Sequence, residues 1–343
     1  MSILEVVIFA LIKVVIIVAA MLVTVAYLVY FERKISAWAQ NRIGPNRVGW
    51  HGSLQPFADL FKLVLKEDIV PDKADRKIHA LAPIIALLVA LSTYAVIPFG
   101  PDLTIGSYTI PLVVADVNIG VLFILALTSL GVYAITLAGW SSGSKYSLLG
   151  GIRSSAQMIS YEVSMGFSVA GVLLLAGSLR PVAIVEAQYG WMWNIILQPI
   201  GFITFLVSAF AETNRLPFDL PEAEPELVGG FHTEYSSMKF AGFFLAEYAN
   251  MIIASAFIVT LYLGGWQIPY IEKLGLPSVI ETLLCLGAFL FKMAVLLFFF
   301  IWVRWSFPRF RYDQLMNLGW KVMFPLSLIN IVWVAALIMI FGL

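Results

Sequence analysis

Long apolar runs alternate along the chain with short polar stretches that hold nearly all of its charge. Crossing about 30 Å of hydrocarbon takes roughly twenty helical residues at about 1.5 Å each. Eight runs reach that length, over residues 3–30, 78–98, 114–138, 155–177, 193–211, 239–263, 282–303 and 322–341. The expected fold class is therefore all-α, a polytopic membrane helix bundle of about eight transmembrane helices. No repeat, low-complexity tract or long linker divides the sequence, so residues 1–343 are expected to form a single transmembrane domain. The first run is too long for the core of a signal peptide and lacks an A-x-A-like cleavage site, so it is expected to be a retained span.

One polar stretch has a period of its own. Over residues 54–69, Leu54, Phe57, Phe61, Leu65 and Ile69 share one helical face, while Gln55, Asp59, Lys62 and Lys66 lie off it. That spacing predicts an amphipathic helix lying in the interface plane of the first inner loop.

Composition places the chain outside the soluble classes: 61% of residues are hydrophobic, 12% are charged, and the mean hydropathy is +0.92. The 21 acids and 21 bases cancel, so no overall pull toward nucleic acid or acidic lipid follows. Their placement carries more information. All Lys and Arg except Lys13, Arg180, Lys273 and Lys292 fall in or beside the loops on one side. The positive-inside bias sets both termini outside and puts the loops 31–77, 139–154, 212–238 and 304–321 on the cytoplasmic or matrix side. Together they are expected to form a docking face for a soluble partner.

Several chemistries drop out. Cys285 is the sole cysteine and lies in an apolar run, so neither a disulfide framework nor a Cys-ligated cluster is built by this chain alone. His51, His79 and His232 sit in or beside inner loops, form no pair suited to haem or a metal, and are expected to make surface hydrogen bonds. No Gly-x-Gly-x-x-Gly or phosphate-cradling Gly-Lys-Ser/Thr motif occurs, and "GSKYSLLGG" reads as a flexible loop. No metal, redox cofactor or nucleotide site of its own is expected.

Charge inside the runs points to chemistry, because each such group costs at least about 2.5–3.5 kcal/mol at the bilayer centre. Glu162 lies about 10 Å into the fourth run, Glu247 about 12 Å into the sixth, and Lys292 near the middle of the seventh. Glu212 closes the fifth. Acids at stepped depths suit a proton path, and Glu162, Glu247 and Lys292 are its candidates; the alternative is a set of structural polar contacts. Glu212 belongs to "AETNRLPFDLPEAEPELV", residues 211–228, whose charged residues are Glu212, Arg215, Asp219, Glu222, Glu224 and Glu226. Like charges two residues apart, as in Glu222, Glu224 and Glu226, couple one another's protonation. The alternative is an acidic docking surface for basic residues of a partner. Arg304, Arg309 and Arg311 stand among aromatics in the last inner loop, the pattern of interface anchors.

Three stretches, "ERKISAWAQNRIGPNRVG" with "LQPFADLFKLVLKE", "AETNRLPFDLPEAEPELVGGFHTEYS" and "PRFRYDQLMNLGWK", closely resemble the quinone-site membrane subunit of respiratory complex I, the proton-pumping NADH:quinone oxidoreductase. The resemblance covers nearly the whole chain, in order. It implies an enzyme subunit that is not catalytic alone. Its inner loops would dock onto hydrophilic-arm subunits carrying FMN, the iron–sulfur clusters and the quinone headgroup site. Its membrane neighbours would be antiporter-like subunits, and nucleic acid is no partner. The ligand implied is quinone, with ubiquinone the expected form and nothing bound covalently. By the same resemblance Glu32, Arg33, Trp38 and Asp59 would bind quinone along the tunnel and chamber. Glu212, Arg215, Asp219, Glu222, Glu224 and Glu226 would form the acidic coupling loop, and Glu162 and Glu247 would begin the acids leading to the antiporter-like subunits. The bacterial inner membrane is the expected location, ahead of the mitochondrial one. The alternatives are the membrane anchor of a related energy-converting hydrogenase and a stand-alone secondary transporter; the latter would normally show an internal repeat or paired broken helices, and the sequence has neither.

Overall fold

The computed structural model describes residues 3–105, 108–190, 192–219 and 227–342. The first apolar run continues through its polar end as one helix, α1 (Ile3–Ala39), because nothing in "FERKISAWA" breaks a helix before Gly44 and Pro45. The amphipathic segment forms α2 (Gln55–Leu65), with Pro56 in the first turn, where its missing N–H is not needed. Phe57, Phe61 and Leu65 lie exposed along it, as an interfacial helix requires. Ile69, expected on that face, lies past the end of α2, and its N–H donates to Ser236 Oγ at 2.9 Å.

Asp75 caps α3 (Arg76–Thr93), accepting from the N–H groups of Lys77 and Ile78. A small antiparallel hairpin, Leu103–Ile105 with Tyr108–Ile110, precedes α4 (Gly120–Ser141) and was not anticipated by an all-α reading. Then follow α5 (Lys145–Ala176), α6 (Pro181–Ala187), α7 (Asn194–Leu197), α8 (Pro199–Glu212), α9 (Ser237–Tyr262), α10 (Ser278–Ser306), α11 (Tyr312–Asn317) and α12 (Phe324–Phe341), the last two joined by a π-helical segment, Leu318–Met323.

Among the described residues seven helices are long and apolar enough to cross a membrane, with Tyr312–Phe341 counted as one. The run at 193–211, expected as a single span, is divided. Gln198 leaves the helical region at φ −138° and ψ 66°, and Pro199 starts α8. That helix has 14 residues, which reach about 21 Å. Irregular backbone at membrane depth persists only where protein covers it and satisfies its polar groups. Here Asn330 of α12 does so. Its Oδ1 accepts from the Gly201 N–H at 2.9 Å, and its Nδ2 donates to Gln198 Oε1 at 3.2 Å. A Cβ at Gly201 would stand 2.7 Å from that Nδ2, so the cap demands glycine.

At the centre is α9, whose residues from Met251 to Tyr262 are nearly all buried. It packs against α3, α10 and α1; α3 packs on α4, α4 on α5, and α5 on α8 and α12. The "GSKYSLLGG" stretch is not a flexible loop: it forms the first turns of α5. A Cβ on Gly150 would meet the Gly230 backbone at 2.8 Å, so these glycines serve close packing. Loops after α1, α4, α8 and α10 gather at one end, here called the basic pole. Lys239 pairs with Asp68 there at 2.8 Å, and Asp75 N–H donates to Ser141 O at 3.0 Å.

Candidate functional site

Just inside the basic pole, three helices and the strip after α8 bring charge together out of solvent. Glu32 from α1 is 5% exposed. Its Oε2 accepts from Arg215 Nη1 and Tyr248 Oη, each at 2.8 Å, and its Oε1 accepts from Arg304 Nη1 at 2.5 Å. Arg215, only 2% exposed, also pairs through Nε with Glu247 Oε1 at 2.7 Å and lies 4.2 Å over the Tyr248 ring. Two carboxylates and two guanidiniums make the cluster neutral as a whole. Such neutrality is what allows charges to be desolvated, since each ion alone would cost several kcal/mol.

Beside the cluster lies a cavity of about 150 Å³, with Glu212, Glu247, Asn250, His232 and Arg304 in its wall. A smaller lobe of about 30 Å³ continues beyond it and shares Thr128, Glu212, Thr213 and Asn250. Glu212 therefore borders both spaces. Thr128 hydrogen-bonds to Glu212, whose carboxylate is also near enough to feel the charge of Glu162. Glu162 itself accepts a hydrogen bond from Ser129 Oγ. Glu212 and Glu247 thus line one polar space, with Glu162 near Glu212.

The start of the acidic strip is held by α5. Gln157 Nε2 donates to Ala211 O at 2.8 Å and to Phe218 O at 2.9 Å, and Ser154 Oγ bonds Asn214 Oδ1 at 3.2 Å. The Leu216–Pro217 peptide is cis. Asp219 pairs with Arg309 at 2.8 Å, and the Phe310 N–H donates to Pro217 O, joining the strip to the last loop of the basic pole. Burial raises the Asp219 carboxyl above the ordinary range, while the Arg309 guanidinium opposes the rise. Glu222, Glu224 and Glu226 lie outside the described residues.

The residues expected to bind quinone divide between two surfaces. Glu32 points into the cluster, whereas its neighbour Arg33 points out and pairs with Asp59 of α2 at 2.7 Å in a solvent-accessible contact. Trp38 is 68% exposed on the same helix end. Adjacent helical residues do not share a face, so this division follows from the helix itself. Lys292 is apart from the glutamates. Its ammonium donates to the carbonyls of Leu263, Gly265 and Gln267 at 2.8, 3.0 and 2.8 Å and sits 4.3 Å over the Trp193 ring. Those carbonyls lie past the far end of α9, about 24 Å along its axis from Glu247. The contacts are those of a helix C-cap.

Other participants were missed. Tyr248 and Asn250 gave no signal in an apolar run, and Arg304 was read as an interface anchor although it reaches Glu32. The histidines need correction. His79 is not a surface group: it is fully buried and stacks on Tyr235 at 3.9 Å. His232 is half-buried and lines the cavity. Both displacements arise because the turn 230–235 folds onto α3 and α5 through the Gly150–Gly230 contact.

The profile of the NADH dehydrogenase family matches residues 12–335. The chain is 56% identical over 337 residues to NADH-quinone oxidoreductase subunit 8 of Rhodothermus marinus, covering 95% of this chain and 96% of that one. It is 53% identical over 333 residues to an NADH-quinone oxidoreductase subunit of Salinibacter ruber, with 94% of each covered. To an NADH-quinone oxidoreductase subunit of Cytophaga hutchinsonii it is 52% identical over 320 residues, covering 93% of this chain and 94% of that one.

Proposed function

Since this chain belongs to the NADH dehydrogenase family, whose matching relatives are subunits of NADH-quinone oxidoreductase, we propose that it lines the path of a quinone into that enzyme and couples quinone reduction to proton translocation. The observation that carries this reading is Arg215, buried between Glu32 and Glu247 and standing near the start of the acidic strip.

A hydrophilic arm docked on the basic pole would deliver electrons to the quinone from FMN and iron–sulfur clusters of its own subunits. The apolar tail enters from the bilayer beside α1 and α2, where Trp38, Phe57 and Phe61 are exposed. Reduction of the headgroup draws protons from its surroundings, and in a partly dry site a change of one charge is felt strongly. Asp219 feels it first, through its contact with Arg309. The rigid hold of Gln157 on the strip passes the displacement to Arg215. Arg215 is shared by two carboxylates, so protonating either one shifts its pairing to the other. That is a two-position element of the kind coupling requires. The cavity then gives protons access to Glu212, Glu162 and Glu247, from which they pass to antiporter-like membrane neighbours.

The same reading makes the basic pole cytoplasmic, with both termini outside the bacterial inner membrane. Ubiquinone is the quinone proposed. The names of the relatives favour a quinone over the hydrogenase-anchor alternative, and the lack of an internal repeat counts against a stand-alone transporter.

The test is Glu212→Gln, which keeps shape but removes proton exchange. In an assembled complex it is expected to abolish proton translocation and slow NADH:quinone turnover, while NADH oxidation by a water-soluble acceptor, which draws electrons upstream, continues. Wild-type pumping in this variant would overturn the reading.

A further inference from the structure

The short turn that follows the strip supplies a proton-exchanging side chain to the cavity wall, His232. We propose that His232 is the proton entrance of the Glu212 cavity: its imidazole takes a proton from water at the basic pole and passes it, through water in the cavity, to the Glu212 carboxylate. This rests on the reading of Glu212 as a group that exchanges protons.

Placement carries the inference. His232 ends the short turn Gly230–His232, outside the membrane spans, is half-buried, and lines the cavity. Its neighbours are aromatic. The imidazole meets the Phe231 ring edge-on at 5.0 Å and the Phe240 ring at 5.5 Å, and Phe243 also lines the cavity. Phenyl rings conduct no protons. Among the described residues the titratable groups in the wall are Glu212 from α8, His232, Glu247 from α9 and Arg304 from α10; α3 and α4 contribute Ala86, Val89, Thr128, Gly131 and Ile135, none of which exchanges protons. Glu247 and Arg304 are engaged with Arg215 and Glu32, and Glu247 lies about 15 Å along α9 from its first turn. At the pole Glu234 follows two residues after His232 in the chain, and Lys239 pairs with Asp68 at 2.8 Å. Among the described wall residues that exchange protons, His232 is the one carried by a loop of the basic pole, which makes it the group proposed to receive an entering proton first.

The space between is adequate. A cavity of about 150 Å³ holds about five waters at about 30 Å³ each, and its polar wall gives them hydrogen-bond partners. The step balances: a ring nitrogen gains a proton from water at the pole, the other nitrogen releases one to the cavity, and the Glu212 carboxylate becomes a carboxylic acid while the imidazole returns to neutral. Burial pushes the His232 pKa down to about 4, so the ring rests neutral and readily surrenders a proton it has accepted. Protons for the path would thus be drawn from the pole directly, separately from those consumed at the quinone headgroup.

The experiment uses the intact complex in reconstituted vesicles, normalised to complex content on native gels. His232→Ala and His232→Gln are each expected to lower proton translocation and coupled NADH:quinone turnover at least about tenfold, with the KM for quinone and the rate to a water-soluble acceptor unchanged. Imidazole added on the side of the basic pole is expected to restore turnover in His232→Ala as its concentration rises. Wild-type pumping in both variants overturns the proposal, and so does a loss that imidazole fails to restore, because that is the behaviour of a structural residue. Glu212→Gln is measured in parallel. If it pumps normally, the underlying reading of Glu212 fails; if it is inactive while the His232 variants pump normally, only the entrance is wrong.

Discussion

Arg215 and Glu247, from the strip after α8 and from the third turn of α9, meet at 2.7 Å in a site where the arginine is 2% exposed. The same guanidinium holds Glu32 at 2.8 Å. Removing it leaves two buried carboxylates without their shared partner, whereas removing the solvent-accessible Arg33 strands only Asp59 at the surface.

Arg215→Met is therefore expected to destabilise the folded subunit by about 3–5 kcal/mol. Arg33→Met is expected to cost about 0–1 kcal/mol. Arg215→Lys is no rescue, because an ammonium cannot span two carboxylates as the planar fork does. Thermal inactivation midpoints of the purified complex decide this; equal midpoints for the Arg215 and Arg33 variants would refute the burial argument.

At the break before α8, Asn330→Leu and Gly201→Ala attack one contact from two sides. Each is expected to lower stability by about 1–3 kcal/mol, since a buried N–H loses its acceptor. The double variant should cost clearly less than the two single losses combined, because the shared contact is lost only once. Additive shifts in thermal midpoint would mean that the two residues act independently.

Lys292→Gln tests whether the ammonium caps α9 or carries protons. Its three carbonyl contacts predict a less stable complex, by about 1–3 kcal/mol for poorly satisfied acceptors. The ratio of protons translocated to electrons transferred should stay at the wild-type value. A normal midpoint with a reduced ratio would instead place Lys292 in the proton path.

The depressed pKa of His232 predicts how stability depends on pH. Folding moves it from an ordinary 6.5 to about 4, so between those values the unfolded chain binds a proton that the folded chain does not. Stability falls as pH drops through that window, and above it His232 contributes no slope. His232→Gln should flatten this part of the curve of thermal midpoint against pH. An unchanged slope would show that the imidazole titrates alike in both states.

What the sequence determined by itself was whatever the bilayer demands of every segment separately. A span needs length and apolarity, and those are one-dimensional properties. The helices α1, α3, α4, α5, α9, α10 and the α11–α12 span were legible from run length alone, and α2 from its period. The resemblance of the inner loops named the family. Tertiary structure decided the rest, because pairing depends on how each helix is rotated and on what stands opposite. Glu32 and Arg33 are neighbours in sequence, yet one enters the buried cluster and the other the surface. Gln198 could break a span because Asn330, far away in the chain, supplies the cap that irregular backbone needs in a membrane. His232 lines the cavity because the glycine contact of its turn with α5 folds it there. No periodicity carries that information, since it arises from the fit between surfaces that the chain brings together only on folding.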